Sequence, residues 1–127
     1  MSSVELDQFI ARPPAAVWRA LTEPELHAKW WAAGDIKPVV GHRFTLDMGS
    51  RWGQQVCEVL EVEEEKLLRY TFAEGVLDTT ITWRLEAEGG GTRLFLVHDG
   101  FAPGSEALIG MGNGWPRLLA HVVVAIP

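Results

Sequence analysis

The sequence predicts an α+β fold: a curved antiparallel sheet wrapped around one long C-terminal helix, with two short helices after the first strand. Three observations predict it. Between residues 41 and 101 apolar and polar residues alternate in successive segments, the period of strands with one buried face. The links between those segments are short and rich in glycine or charge, so consecutive strands pair antiparallel. After Pro103-Gly104 the apolar period lengthens to three or four residues. A single long amphipathic helix at the end of the chain has only the sheet to lie on.

Val4 to Ile10 reads as the first strand, with Val4, Leu6 and Gln8 on one side and Glu5, Asp7 and Phe9 on the other. Pro13-Pro14 ends it, because neither residue can donate to a sheet ladder. Pro14 suits the first turn of a helix, which runs from Ala15 to Leu21 with Val17, Ala20 and Leu21 on one face. Thr22 then reads as the N-cap of a second helix, and Glu25 three residues on completes a capping box. That helix covers Glu23 to Trp31, with Leu26 and Trp30 turned inward, and Gly34-Asp35 stop it. Consecutive helical positions lie about a hundred degrees apart, so the Trp31 ring points away from that of Trp30.

The strands follow. His42 to Met48 sets Phe44, Leu46 and Met48 against Arg43, Thr45 and Asp47, and Gly49-Ser50 with Gly53 marks a turn. Gln54 to Val62 sets Val56, Glu58, Leu60 and Val62 against Cys57, Val59 and Glu61. Either the Glu58 row faces water, the simpler reading, or Glu58 is a buried carboxylate. Leu67 to Phe72 is short and rich in Leu, Tyr and Phe. Leu77 to Glu86 sets Ile81, Trp83 and Leu85 against Thr80, Thr82 and Arg84. Thr92 to Phe101 is apolar on both faces, with Leu94, Leu96 and His98 opposite Phe95 and Val97. The final helix carries Leu108, Met111, Trp115, Leu118, Val122 and Ile126 in one stripe. Gly110, Gly112, Gly114 and Pro116 predict a kink or an irregular start near Asn113 to Pro116.

Bulk properties narrow the function. The 127 residues are one domain's worth, read as a single domain over residues 1–127. The net charge of −6 leaves no electrostatic footprint for nucleic acid and disfavours anionic membrane surfaces. No apolar stretch is long enough to span a bilayer, and the first residues lack the pattern of a signal peptide. The single cysteine, Cys57, excludes a disulfide framework and fits a cytoplasmic setting. His27, His42, His98 and His121 show no metal-ligand spacing, and no serine sits in a nucleophile elbow.

Several motifs in fixed order carry a family resemblance over nearly the whole chain. They are Ala11 to Leu21 with its double proline and Val17-Trp18, Thr22 to Trp31 with its tandem tryptophan, and Gly41-His42-Arg43-Phe44. They continue with Thr82-Trp83-Arg84-Leu85, Gly91-Thr92-Arg93-Leu94, His98-Asp99-Gly100-Phe101 and Gly114-Trp115-Pro116-Arg117-Leu118-Leu119. The chain resembles the START-like, helix-grip proteins of the SRPBCC superfamily, in the branch similar to the activator of the heat-shock-protein-ninety ATPase. It departs from the pattern at Arg12, at the short C-terminal helix and in the apolar segment Phe95 to Val97. The resemblance implies a cavity between the long helix and the concave sheet, open to small apolar or amphipathic molecules.

The cavity walls so implied are Trp31, Phe44, Leu46, Met48, Tyr70, Phe72, Trp83, Leu96, His98, Trp115 and Leu119. Each aromatic also has a plain reading as core. His98 could orient a ligand or act as a general base, or simply be hydrogen-bonded to its surroundings. Tyr70 needs a partner for its hydroxyl, either a ligand or the sheet. Neither pairs with a convincing second catalytic group, so no catalytic residue is assigned and binding is preferred over catalysis. No cofactor and no metal are expected. The first reading is a small-molecule-binding protein. The rivals are an enzyme similar to polyketide cyclases or aromatases working in the same cavity, and a co-chaperone-like module. The expected state is a monomer or weak homodimer.

Overall fold

In the computed structural model, which describes residues 1–127, the chain forms seven strands and four helices. Strand β1 spans Ser2–Ile10, and helices α1 (Pro14–Thr22) and α2 (Pro24–Trp30) follow. Each helix opens on a proline, whose missing N–H would have had no helical acceptor. The capping box predicted at Thr22 does not form. Thr22 is the last residue of α1, and its hydroxyl donates back to the Trp18 carbonyl at 2.8 Å. Glu23 caps α2 through its backbone carbonyl, which accepts from the His27 N–H.

The strands β2 (Ala33–Gly34), β3 (Arg43–Asp47), β4 (Gln54–Glu63), β5 (Leu67–Phe72), β6 (Thr79–Glu88) and β7 (Gly91–Phe101) form a meander. A short helix, α3 (Gly49–Trp52), joins β3 to β4 where a simple turn was expected. The sheet order is β1-β7-β6-β5-β4-β3-β2, and every neighbouring pair is antiparallel. β1 thus returns beside the last strand. Gly34 does more than stop a helix: a Cβ there would lie 2.2 Å from the Thr45 carbonyl oxygen, so only glycine lets β2 approach β3.

Register places the inward rows. Ile81 pairs with His98, Trp83 with Leu96, Tyr70 with Ile81 and Phe44 with Cys57, and all of these are buried. On β4 the inward row is Gln55, Cys57 and Val59. Glu58 lies on the outer face, where the Arg43 guanidinium binds it at 2.8 Å and also reaches Glu74. β6 starts at Thr79 rather than Leu77, because the amides of Val76, Leu77 and Asp78 all turn onto the Ala73 carbonyl.

Helix α4 (Glu106–Ala125) runs through Pro116, so no irregular start lies near Asn113 to Pro116. Ser105 caps it, its hydroxyl accepting from the Leu108 N–H. Its second half is anchored by buried Trp115, Leu119, Val122 and Ala125, while no residue from 106 to 114 is buried. No helix is long and apolar enough to cross a membrane.

Two glycine substitutions should move stability in opposite directions. Gly34→Ala should destabilise by about 1–3 kcal/mol through overpacking against β3. Gly114→Ala, whose new Cβ meets nothing within 4 Å, should stabilise by about 0.5–1 kcal/mol. Urea denaturation of the two variants checks both signs.

Candidate functional site

A buried indole brings a large apolar surface and one N–H that must find an acceptor. Three of the tryptophans solve this inside the protein. Trp30 on α2 donates to the Ala20 carbonyl of α1 at 2.7 Å. Trp83 on β6 donates to the Tyr70 hydroxyl on β5 at 3.0 Å. Trp115 on α4 donates to His98 Nδ1 on β7 at 3.0 Å. The rings meet edge to face, Trp30 on Trp83 at 5.7 Å and Trp83 on Trp115 at 5.6 Å.

The Trp115 bond fixes the tautomer of His98. An indole can only donate, so Nδ1 is the acceptor and the ring proton sits on Nε2. Nε2 then donates to the Thr79 hydroxyl at 2.8 Å, and that hydroxyl donates to the Phe72 carbonyl at 3.2 Å. The chain of donors and acceptors is complete. Burial holds His98 neutral and lowers its pKa to about 3. Burial likewise raises the Tyr70 phenol, and it pushes the Cys57 thiol up to about 12, leaving an inert core thiol.

His27 on α2 behaves differently. Its Nδ1 donates to the Ala32 carbonyl at 2.8 Å, so Nε2 is an acceptor. That Nε2 is buried and has no hydrogen-bond partner in the protein, the sole side-chain polar atom in that position. Burial lowers the His27 pKa to about 4. Trp30 and Trp31 flank the ring at 4.6 and 5.8 Å.

Between sheet and helix these buried side chains pack on one another, and a groove opens beside the first half of the helix. A groove of about 540 Å³ runs between the first half of α4, α3 and the 73–77 turn. Its apolar walls are Met48, Trp52, Phe72, Ala73, Val76, Leu77, Ala107 and Met111, with Arg51, Gln55 and Glu106 as polar lining. Trp52 and Val76 on its walls are 62% and 66% exposed, so the rim of the groove is apolar. A wider depression of about 640 Å³ near Glu63 to Leu67 is lined mainly by charged side chains and is a solvated surface.

The structure sorts the predicted wall residues into two groups. Met48 and Phe72 line the groove. Phe44, Leu46, Tyr70, Trp83, Leu96, His98, Trp115 and Leu119 are buried in the packed core beneath. Trp31 stands between the groups, half-buried, with Phe72 at 5.3 Å and Trp115 at 5.1 Å. Its ring does not diverge from Trp30 but stacks on it at 5.7 Å. The helix has ended there: Trp31 has φ −141° and ψ −80°, outside helical geometry. Trp52, Val76 and Leu77 were missed because turns carry no apolar period. His27 was missed because a lone histidine on a short helix reads as solvated.

Residues 11–126 match the family described as Activator of Hsp90 ATPase homolog 1-like protein. No curated protein matches the chain. Among solved structures, the Mesorhizobium loti protein MLL2253 is 36% identical, with a TM-score of 0.89 over 98% of this chain and 96% of its own. CalU16 from Micromonospora echinospora is 28% identical, with a TM-score of 0.81 over 98% of this chain and 75% of its own. The Aha1 dimer from Colwellia psychrerythraea is 20% identical, with a TM-score of 0.85 over 99% of this chain and 96% of its own, a likeness of fold alone.

The two buried histidines make stability depend on pH. Their folded pKa values, about 4 and about 3, lie below the ordinary histidine value of 6.5. The unfolded chain therefore binds protons that the folded one refuses. The stability they contribute is fully present above about pH 6.5 and is lost as pH falls towards their folded values, by up to about 1.4 kcal/mol per pH unit for each. Urea midpoints between pH 7 and 5 should fall accordingly, and in His27→Leu the slope should be about half as steep.

Proposed function

The chain belongs to the family of Activator of Hsp90 ATPase homolog 1-like proteins, within the SRPBCC helix-grip superfamily, and from that premise we propose that it binds a small apolar or amphipathic molecule. The observation that carries this reading is the groove beside α4. Its volume of about 540 Å³ lies in the range of about 300–1,000 Å³ typical of small-molecule sites. Its lining is mostly apolar, with few polar groups to orient a guest. It also joins Met48 and Phe72, two wall residues expected from the sequence.

Binding is favoured over catalysis by the state of the two polar candidates. Both nitrogens of His98 are engaged within the protein. The Tyr70 hydroxyl is buried and accepts from Trp83. Neither is placed to take a proton from a molecule in the groove. Phe44, Leu46, Leu96 and Leu119 are buried in the core and do not line the groove.

A second reading follows from the family's description and from the exposed apolar side chains Trp52 and Val76 at the groove. On that reading the same patch docks on a chaperone ATPase. Adding the protein to a purified heat-shock-protein-ninety chaperone would then raise ATP turnover, and Trp52→Ala would abolish the rise; unchanged turnover rules it out.

The binding reading is tested by NMR titration with a panel of aromatic and acyl compounds. Binders should shift the signals of Met48, Leu77, Ala107 and Met111, and Ala107→Trp, which fills the groove, should weaken them at least tenfold. A panel that moves none of these signals overturns the reading.

A further inference from the structure

The orphan acceptor of His27 calls for a partner. A buried polar atom left unpaired costs about 1–3 kcal/mol, and native proteins keep few of them. His27 Nε2 is buried, the Trp30 and Trp31 indoles pack against its imidazole, and nothing in the protein donates to it. The neighbouring ring that can give way is Trp31. Trp30, Trp83 and Trp115 are buried, and each is tied by its indole N–H. Trp31 is half-buried, its indole makes no hydrogen bond, and its backbone lies outside the well-populated regions. It packs on Phe72, which lines the groove. His27, Trp31, Phe72 and the groove thus form one contiguous series.

We propose that Trp31 is a displaceable cover, and that the space its indole vacates is a subsite for a neutral, ring-sized molecule carrying one O–H or N–H donor, received by His27 Nε2. This rests on the groove as the route of entry. The chemistry follows from the surroundings. Aromatic walls penalise a charged guest. An acceptor nitrogen rewards a donor and gives nothing to an ether or a hydrocarbon. A guest about the size of the indole it replaces leaves Trp30 and Trp115 in place. The phenol and indole class meets all three conditions.

The test compares phenol with anisole, its methyl ether, which lacks the donor. Trp31→Ala opens the subsite and should bind phenol about fivefold to tenfold more tightly than anisole, the worth of one hydrogen bond. In the double variant Trp31→Ala, His27→Leu that preference should vanish. In the unaltered protein, phenol but not anisole should move the His27 Nε2 nitrogen resonance, a readout that needs no variant to fold. Equal binding of the two probes by Trp31→Ala, a preference that survives His27→Leu, or an unmoved His27 resonance overturns the proposal. Should aromatic compounds shift Leu77 and Met111 while leaving His27 untouched, the groove reading stands and the subsite falls.

Discussion

The hydrogen bond from the Trp115 indole to His98 Nδ1 is the constraint on which the rest of the structure depends. It ties the long helix to the last strand at the centre of the core. Trp115 cannot stay buried unless that acceptor is present, and the acceptor exists only while His98 is neutral. A protonated imidazole has no lone pair and would face the indole donor to donor. The helix, the tautomer and the charge state of the core are therefore one choice. Thr79 and the Phe72 carbonyl extend it across β6 and β5. Three strands and the helix share a single satisfied polar line inside an otherwise apolar interior.

Much of this fold was legible in the sequence because its elements obey simple periods. The alternation of Ile81, Trp83 and Leu85, and the stepping of Trp115, Leu119 and Val122, report burial directly. The failures have physical causes. Thr22 can cap a helix or bond backwards within one, and the neighbouring proline at position 24 suited both, so the choice fell to packing. On β4 apolar residues stand on both rows, so alternation alone left two readings, and the simpler one, with Glu58 on the outer face, holds. A bulge between Val59 and Glu61 shifts the register further along. Pro116 and the glycines before it predicted a kink or an irregular start near residues 113–116, yet α4 begins at Glu106 and runs through them, its second half anchored by four buried side chains.

The candidate site was legible only where it coincides with the core. The family resemblance implied Tyr70, Trp83, Leu96 and His98, on inward rows, as cavity walls; all four are buried, and Trp115 of the helix meets Trp83 and His98 directly. The groove is built instead from a short helix, a turn and the loosely held start of α4. Such segments carry neither period, so Trp52 and Val76 gave no signal beyond being exposed apolar residues. His27 gave even less, since its importance lies in what fails to bond to it.

Filling the interior with tryptophan has a consequence for function. Each buried indole removes volume that a guest could use, and its N–H gains from an acceptor inside the protein. Trp30, Trp83 and Trp115 meet that demand and lock the centre. Trp31 does not, and so stays at the edge, half in water, with no hydrogen bond holding its ring. The same rule that closes the centre thus leaves its boundary adjustable. On the proposed reading a ligand enters where the aromatic core meets solvent, along the row from His27 through Trp31 to Phe72.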